Sequence, residues 1–152
     1  YNYNSITNPA DRTKDTDPDQ DMLNNLGEFA LNGDPTNGTS SGKIVGKVTP
    51  VSGVDVLTLT LPVRTGSIPD PGDPAGGELV LTNSADALTY RLQASDDLTS
   101  FGLDVSEITG PDATAIQSGL PSLDVGWIYR SFRCPAPVTS VASGFMRVRI
   151  SE

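Results

Sequence analysis

The chain has 152 residues, of which 36% are apolar, with 15 Gly and 12 Pro. That fits one ordinary domain with a small appendage, built of short elements joined by turns rather than of long helices. A formal charge of −9 argues against a nucleic-acid partner, which needs a basic face to displace counterions, and no apolar run approaches the roughly 18 residues needed to cross a bilayer.

Residues 1–14 are polar and aperiodic and are expected as an extended arm or linker. Residues 15–42 are expected as a cation-binding loop and a short helix. Aspartate alternates with other residues from Asp15 to Asp21, and Pro18 prevents a helix from running through the segment. Leu23, Leu26, Phe29 and Ala30 can then share one helical face, and Gly33-Asp34-Pro35 ends the helix. A loop rich in Asn, Gly, Thr and Ser leads to Gly42.

Residues 43–152 read as strands. Lys43–Thr49 is short and β-branched. Val54–Arg64 carries Leu57, Leu59, Leu61 and Val63 at a period of two, alternating with Thr58 and Thr60. The Pro- and Gly-rich stretch from Pro69 to Gly77 is a loop. Glu78–Thr82, Leu88–Ala94, Leu103–Ile108, Trp127–Cys134 and Phe145–Ile150 complete about seven strands. Turn chemistry between most of them predicts a mainly β fold, an antiparallel β-sandwich; a barrel is the competing architecture. No repeated unit suggests a solenoid.

The chemistry concentrates in the twelve residues from Asp17 to Glu28. A loop of the EF-hand type takes oxygen ligands from its first, third, fifth, seventh, ninth and twelfth positions. Those positions are Asp17, Asp19, Asp21, the backbone carbonyl of Leu23, Asn25 and Glu28. The spacing suits Ca2+, which takes six to eight oxygens at roughly 2.3–2.6 Å. Alternate carboxylates curl inward, and a bidentate glutamate arrives from the helix that the loop enters. The sixth position, usually a glycine in left-handed conformation, is Met22, and holding a non-glycine residue there costs on the order of 1–2 kcal/mol. Asp15 or Asp34 could join the ligands. The bland alternative is an acidic solvated linker before a helix N-terminus.

The run from Asp17 to Pro35 resembles the dockerin-like or thrombospondin type 3-like calcium-binding repeats of secreted bacterial proteins. In those, an Asp-rich loop leads into a short helix that ends at Gly-x-Asp-Pro. Tyr90–Leu98, Trp127–Arg133 and Phe145–Arg149 resemble the C-terminal β-domains of such surface proteins. Only one loop is present where a dockerin carries two, so the cohesin-binding role is not carried over.

Other chemistry is thinly supported. The chain has no histidine, which excludes a serine triad, a His base and His-ligated zinc. Cys134, the single cysteine, can form no intrachain disulfide and reads as a buried apolar residue. Glu78 and Glu107 lack a supporting constellation for glycosidase chemistry, so no enzymatic activity is expected. Asp70 and Asp73 could hold a second ion but suit turns better. Trp127 and Tyr129 share a strand face and could stack on a sugar ring, although a core tryptophan is the commoner use.

Low lysine, abundant Asp, Thr, Ser and Gly, and a calcium-type loop point outside the cell, where calcium is plentiful. A secreted chain would have lost its signal peptide before Tyr1. Seven acids between Asp11 and Asp34 face an opposite bias at Arg130, Arg133, Arg147 and Arg149, an asymmetry that could steer copies together. The expectation is therefore a calcium-binding extracellular structural or adhesion module, a self-assembling surface or filament subunit joined through sheet edges or the N-terminal arm. The alternative is a carbohydrate-binding accessory module of a secreted enzyme, with a glycan as partner.

Overall fold

The structure, a computed structural model, describes residues 3–40, 42–70, 76–137 and 144–152. Its described residues form two four-stranded antiparallel sheets packed as a sandwich. The first sheet contains β1 (Val45–Val51), β2 (Val54–Arg64), β6 (Ser106–Ile108) and β7 (Trp127–Pro137), in the order β1-β2-β7-β6. The second contains β3 (Ile68–Pro69), β4 (Leu79–Asn83), β5 (Leu88–Ser95) and β8 (Phe145–Ser151), in the order β3-β4-β5-β8. The expected mainly β sandwich is therefore what the chain adopts.

The inward faces follow from the period-two patterns. Leu59, Leu61 and Val63 of β2 meet Leu88, Tyr90, Leu92 and Ala94 of β5, together with Leu81 and Phe132, in one buried cluster. Ser52-Gly53 joins β1 to β2, and both residues have positive φ (51° and 82°), as a tight two-residue hairpin matched to strand twist requires.

The outer face of β2 is buried as well. Thr58 and Thr60, each 1% exposed, lie on the same side of β2 as Val56, which packs with Val51, Ile108 and Ile116 of helix α2 (Gly110–Gln117). Thr60 Oγ1 bonds Ser131 Oγ at 2.9 Å, and Gln117 donates to that same Ser131 oxygen. Buried hydroxyls thus find partners, as they must.

The segment expected as an extended arm is mostly exposed but is pinned to the body at a few points. Ile6 is buried, residues Pro9–Asp11 form a 3-10 turn, and Lys14 pairs with Glu152 at 3.3 Å. Helix α1 (Asn25–Ala30) follows the acidic loop and closes one end of the sandwich, placing Leu26, Ala30 and the adjoining Leu31 in the main core.

Candidate metal centre

The loop before α1 is shaped by its own aspartates. Asp17 accepts the backbone N–H of Gln20 on Oδ1 at 2.8 Å and that of Met22 on Oδ2 at 3.0 Å. Asp21 Oδ1 accepts the N–H of Leu23 at 2.8 Å. These local turns are a natural use of aspartate side chains. They curl the chain so that one carboxylate oxygen from each of Asp17, Asp19 and Asp21 lies within 4.8 Å of the others. Met22 takes the left-handed turn of the sixth position, with φ 78°, and points its side chain into solvent, 95% exposed.

Glu28 approaches from the helix and is 0% exposed. Both of its carboxylate oxygens are buried without a hydrogen-bond partner, as are both oxygens of Asp19, Oδ2 of Asp21 and Oδ1 of Asn25. Native interiors leave few such atoms, and a concentration of them calls for a missing partner. The electrostatics agree. Burial pushes the Glu28 carboxyl up to about 8, and the charges of Asp19, Asp21, Asp34 and Asp17 add to the effect. The Asp19 carboxyl is also raised, first by burial and then by Asp21. A bound divalent cation would offset these penalties, and carboxylate oxygens suit hard cations such as Ca2+, Mg2+ and Mn2+.

Asn25 has a second job that the spacing does not reveal. Its amide nitrogen donates to the carbonyls of Asp11 and Thr13 and to Thr16 Oγ1, at 2.8, 2.7 and 2.9 Å. It therefore ties the start of α1 to the incoming chain while Oδ1 stays available. Leu23 precedes the N-cap Asn24, whose Oδ1 accepts the N–H of Gly27 at 3.0 Å; the Leu23 carbonyl is the seventh-position oxygen.

Of the two further candidates, Asp15 points away, with its side chain 73% exposed and 3.6 Å from Lys14 Nζ. Asp34 lies on the loop that returns past the site. Its Oδ1 accepts from Thr36 N and Oγ1, and its charge reaches Glu28. The same loop comes close at Gly38, where a Cβ would stand 3.1 Å from the Asp19 carbonyl oxygen and 3.7 Å from Asp21 Cβ. The sequence offered Asp34 as a further ligand, but not the approach of Gly38 to Asp19 and Asp21.

The remaining candidates fill structural places. Trp127 donates Nε1–H to the Phe29 carbonyl at 3.0 Å, and the Arg64 guanidinium covers its ring at 4.2 Å. It does not offer a bare platform for a sugar. Gly126, with φ 100°, permits this stack, because a Cβ there would meet Arg64 Nη1 at 2.6 Å. Tyr129 donates to the Pro121 carbonyl at 2.9 Å. Glu78 accepts from Arg91 and Gln93, and Glu107 pairs with Arg130. Cys134 is buried in the main core. The Asp70 N–H bonds the Val80 carbonyl at 2.9 Å beside β3, while Asp73 lies outside the described residues. No helix among the described residues is long and apolar enough to cross a membrane. Comparison of the chain with protein-family models, curated proteins and solved structures finds no match.

Proposed function

We propose that the chain is a calcium-binding extracellular module with a structural or adhesive role, working without catalysis as a subunit of a surface or filament assembly. The observation that carries the calcium reading is the clustering of Asp17, Asp19 and Asp21 carboxylates beside a helix whose Glu28 is fully buried, with five buried carboxylate oxygens of Asp19, Asp21 and Glu28 lacking a hydrogen-bond partner. Asp17, the Leu23 carbonyl and Asn25 Oδ1 supplement them, and Asp34 stands at the rim. Such a set would be unfavourable without a cation, through both desolvation and like-charge repulsion.

Support for assembly is of another kind. Among the described residues, each sheet ends in strands with no further strand beside them: β1 and β6 in one, β3 and β8 in the other. End strands are templates for pairing with another chain. The acidic loop and the arginines of β8, Arg147 and Arg149, give copies opposite charges with which to meet.

Calorimetric titration with Ca2+ tests the first part. Saturable heat in the intact chain, absent in Asp19→Asn and Glu28→Gln, is the expected result; no heat in the intact chain would remove the calcium reading. Sizing of the same samples tests the second part. Larger species in calcium than in chelator are expected, and monomers under both conditions at high concentration would leave only the calcium-binding module.

A further inference from the structure

Helix α1 has six residues, too few to persist on its own hydrogen bonds. What seats it comes from its two sides. On one side Leu26, Ala30 and Leu31, at 5%, 0% and 3% exposure, enter the sandwich core. On the other side Glu28 faces the aspartate loop. Two residues of helix separate Leu26 from Glu28, and likewise Glu28 from Ala30, a rotation of about 200° that puts the carboxylate on the face opposite the core contacts.

The C-terminal end of α1 is bound to the sandwich by backbone. A helix leaves its last carbonyls without internal partners. Here Trp127 Nε1 donates to the Phe29 carbonyl at 3.0 Å, Tyr90 Oη to that of Ala30 at 3.1 Å, and Lys43 N to that of Leu31 at 3.0 Å. Asn32 adds bonds to Asp124 and to Lys43 Nζ. Tyr90 Oη also accepts the N–H of Arg64 at 3.2 Å, and the guanidinium of that arginine lies over Phe29 and Trp127. Three donors from three parts of the chain, Lys43 before β1, β5 and β7, thus converge on one short helix.

Resting on the calcium reading above, we propose that the cation is a latch on α1: with the ion bound the helix seals the end of the sandwich, and on its removal α1 unseats as a unit. The physical cause is the position of Glu28. Bound cation attracts its carboxylate toward the loop that holds the helix N-terminus. Without the cation the same carboxylate confronts several aspartates in a buried setting: protonated, it can stay there with the helix seated, but ionised, it returns to water only by lifting the helix. Lifting breaks the three carbonyl bonds together, because they belong to consecutive residues. The control of sandwich closure by an extracellular ion goes beyond binding the ion.

Hydrogen exchange followed by NMR on the full chain, with saturating Ca2+ and with chelator at one alkaline pH where the Glu28 carboxylate is ionised, tests the latch. Informative sites are the amides of Glu28, Leu31, Gly33 and Lys43 and the indole N–H of Trp127, all hydrogen-bonded at this junction. In chelator these are expected to exchange at least about tenfold faster, as a cooperative unit that opens locally, while amides of the β2–β7 ladder change much less. Glu28→Gln, which removes the charge, is expected to keep them slow in chelator and to abolish the response to calcium. Calcium heat by calorimetry together with unchanged exchange at these sites would overturn the latch and leave the calcium reading standing. So would Glu28→Gln exchanging as fast in chelator as the unsubstituted chain. Absence of calcium heat would overturn the calcium reading first and the latch with it.

Discussion

Glu28 carries a charge that the folded chain resists: burial, and then the neighbouring aspartates, raise its carboxyl from an ordinary 4.5 to about 8. A folded pKa above the unfolded one means that the native state binds more protons between these values. Stability contributed by the protonated form is then full below about pH 4.5 and is lost as the pH rises toward 8. In chelator, urea midpoints are therefore expected to fall from pH 5 to pH 8.5, and Glu28→Gln should flatten the trend. Calcium should remove it, because the ion keeps the carboxylate charged. Binding near pH 7 should also release a proton, detectable as a binding heat that depends on the ionisation enthalpy of the buffer; identical heats in all buffers would contradict the raised pKa. Met22 gives a second test at this scale. Its φ of 78° suits glycine, and its side chain makes no buried contact. Met22→Gly is expected to stabilise the fold by about 0.5–1 kcal/mol, since relief of left-handed strain outweighs the added freedom of the unfolded chain. Denaturant midpoints with and without calcium check the sign.

Among the elements, those whose side chains alternate between core and surface were legible in the sequence. β5 and β8 follow the expected stretches closely, and β2 was found within its bounds. What the pattern concealed on β2 was its second buried face, because Thr58 and Thr60 look like solvent-facing residues until Lys47, Ser131 and, through Ser131, Gln117 of α2 are seen to engage them. Helix α2 itself escaped notice: Gly110–Gln117 buries only Ile116 and so carries no apolar period. Strand β3 has two residues, below any useful pattern. In the acidic region the aspartate alternation and Glu28 were visible because their spacing is local. The return of the Asp34 loop and the clamp made by Asn25 depend on tertiary contacts, which one-dimensional spacing does not record. The two helices should respond differently to truncation. Ile116→Ala removes one side chain from a small satellite cluster and is expected to cost about 2–3 kcal/mol without changing calcium affinity. Leu26→Ala is expected to cost a similar amount and to weaken calcium binding as well, because the helix that presents Glu28 loses its seat. Equal calcium affinity in both variants, measured by titration at a temperature where each is folded, would separate the site from the core and argue against that coupling.

The whole molecule has no disulfide to reinforce it, since Cys134 is the only cysteine. Its sandwich core is closed at one end by a helix too short to stand alone, and the residues between Asp11 and Glu28 are held largely by polar contacts. A ligand that binds only the native chain stabilises it by about 2.7 kcal/mol at a hundred times its dissociation constant. For a chain of this size each kcal/mol moves the melting temperature by about 2–4 °C. Calcium at that level is therefore expected to raise the melting temperature by about 5–11 °C, and the rise should grow with the logarithm of calcium concentration. Asp19→Asn should lose most of it. The shape of the transition carries further information. If the helix, the acidic loop and the sandwich unfold together only when the ion links them, calorimetric scans in calcium should show one cooperative peak. Scans in chelator should show a broad early transition, followed by melting of the sheets. A single peak that shifts without changing shape would mean that the ion stabilises the chain uniformly and that α1 never separates from the sandwich before global unfolding.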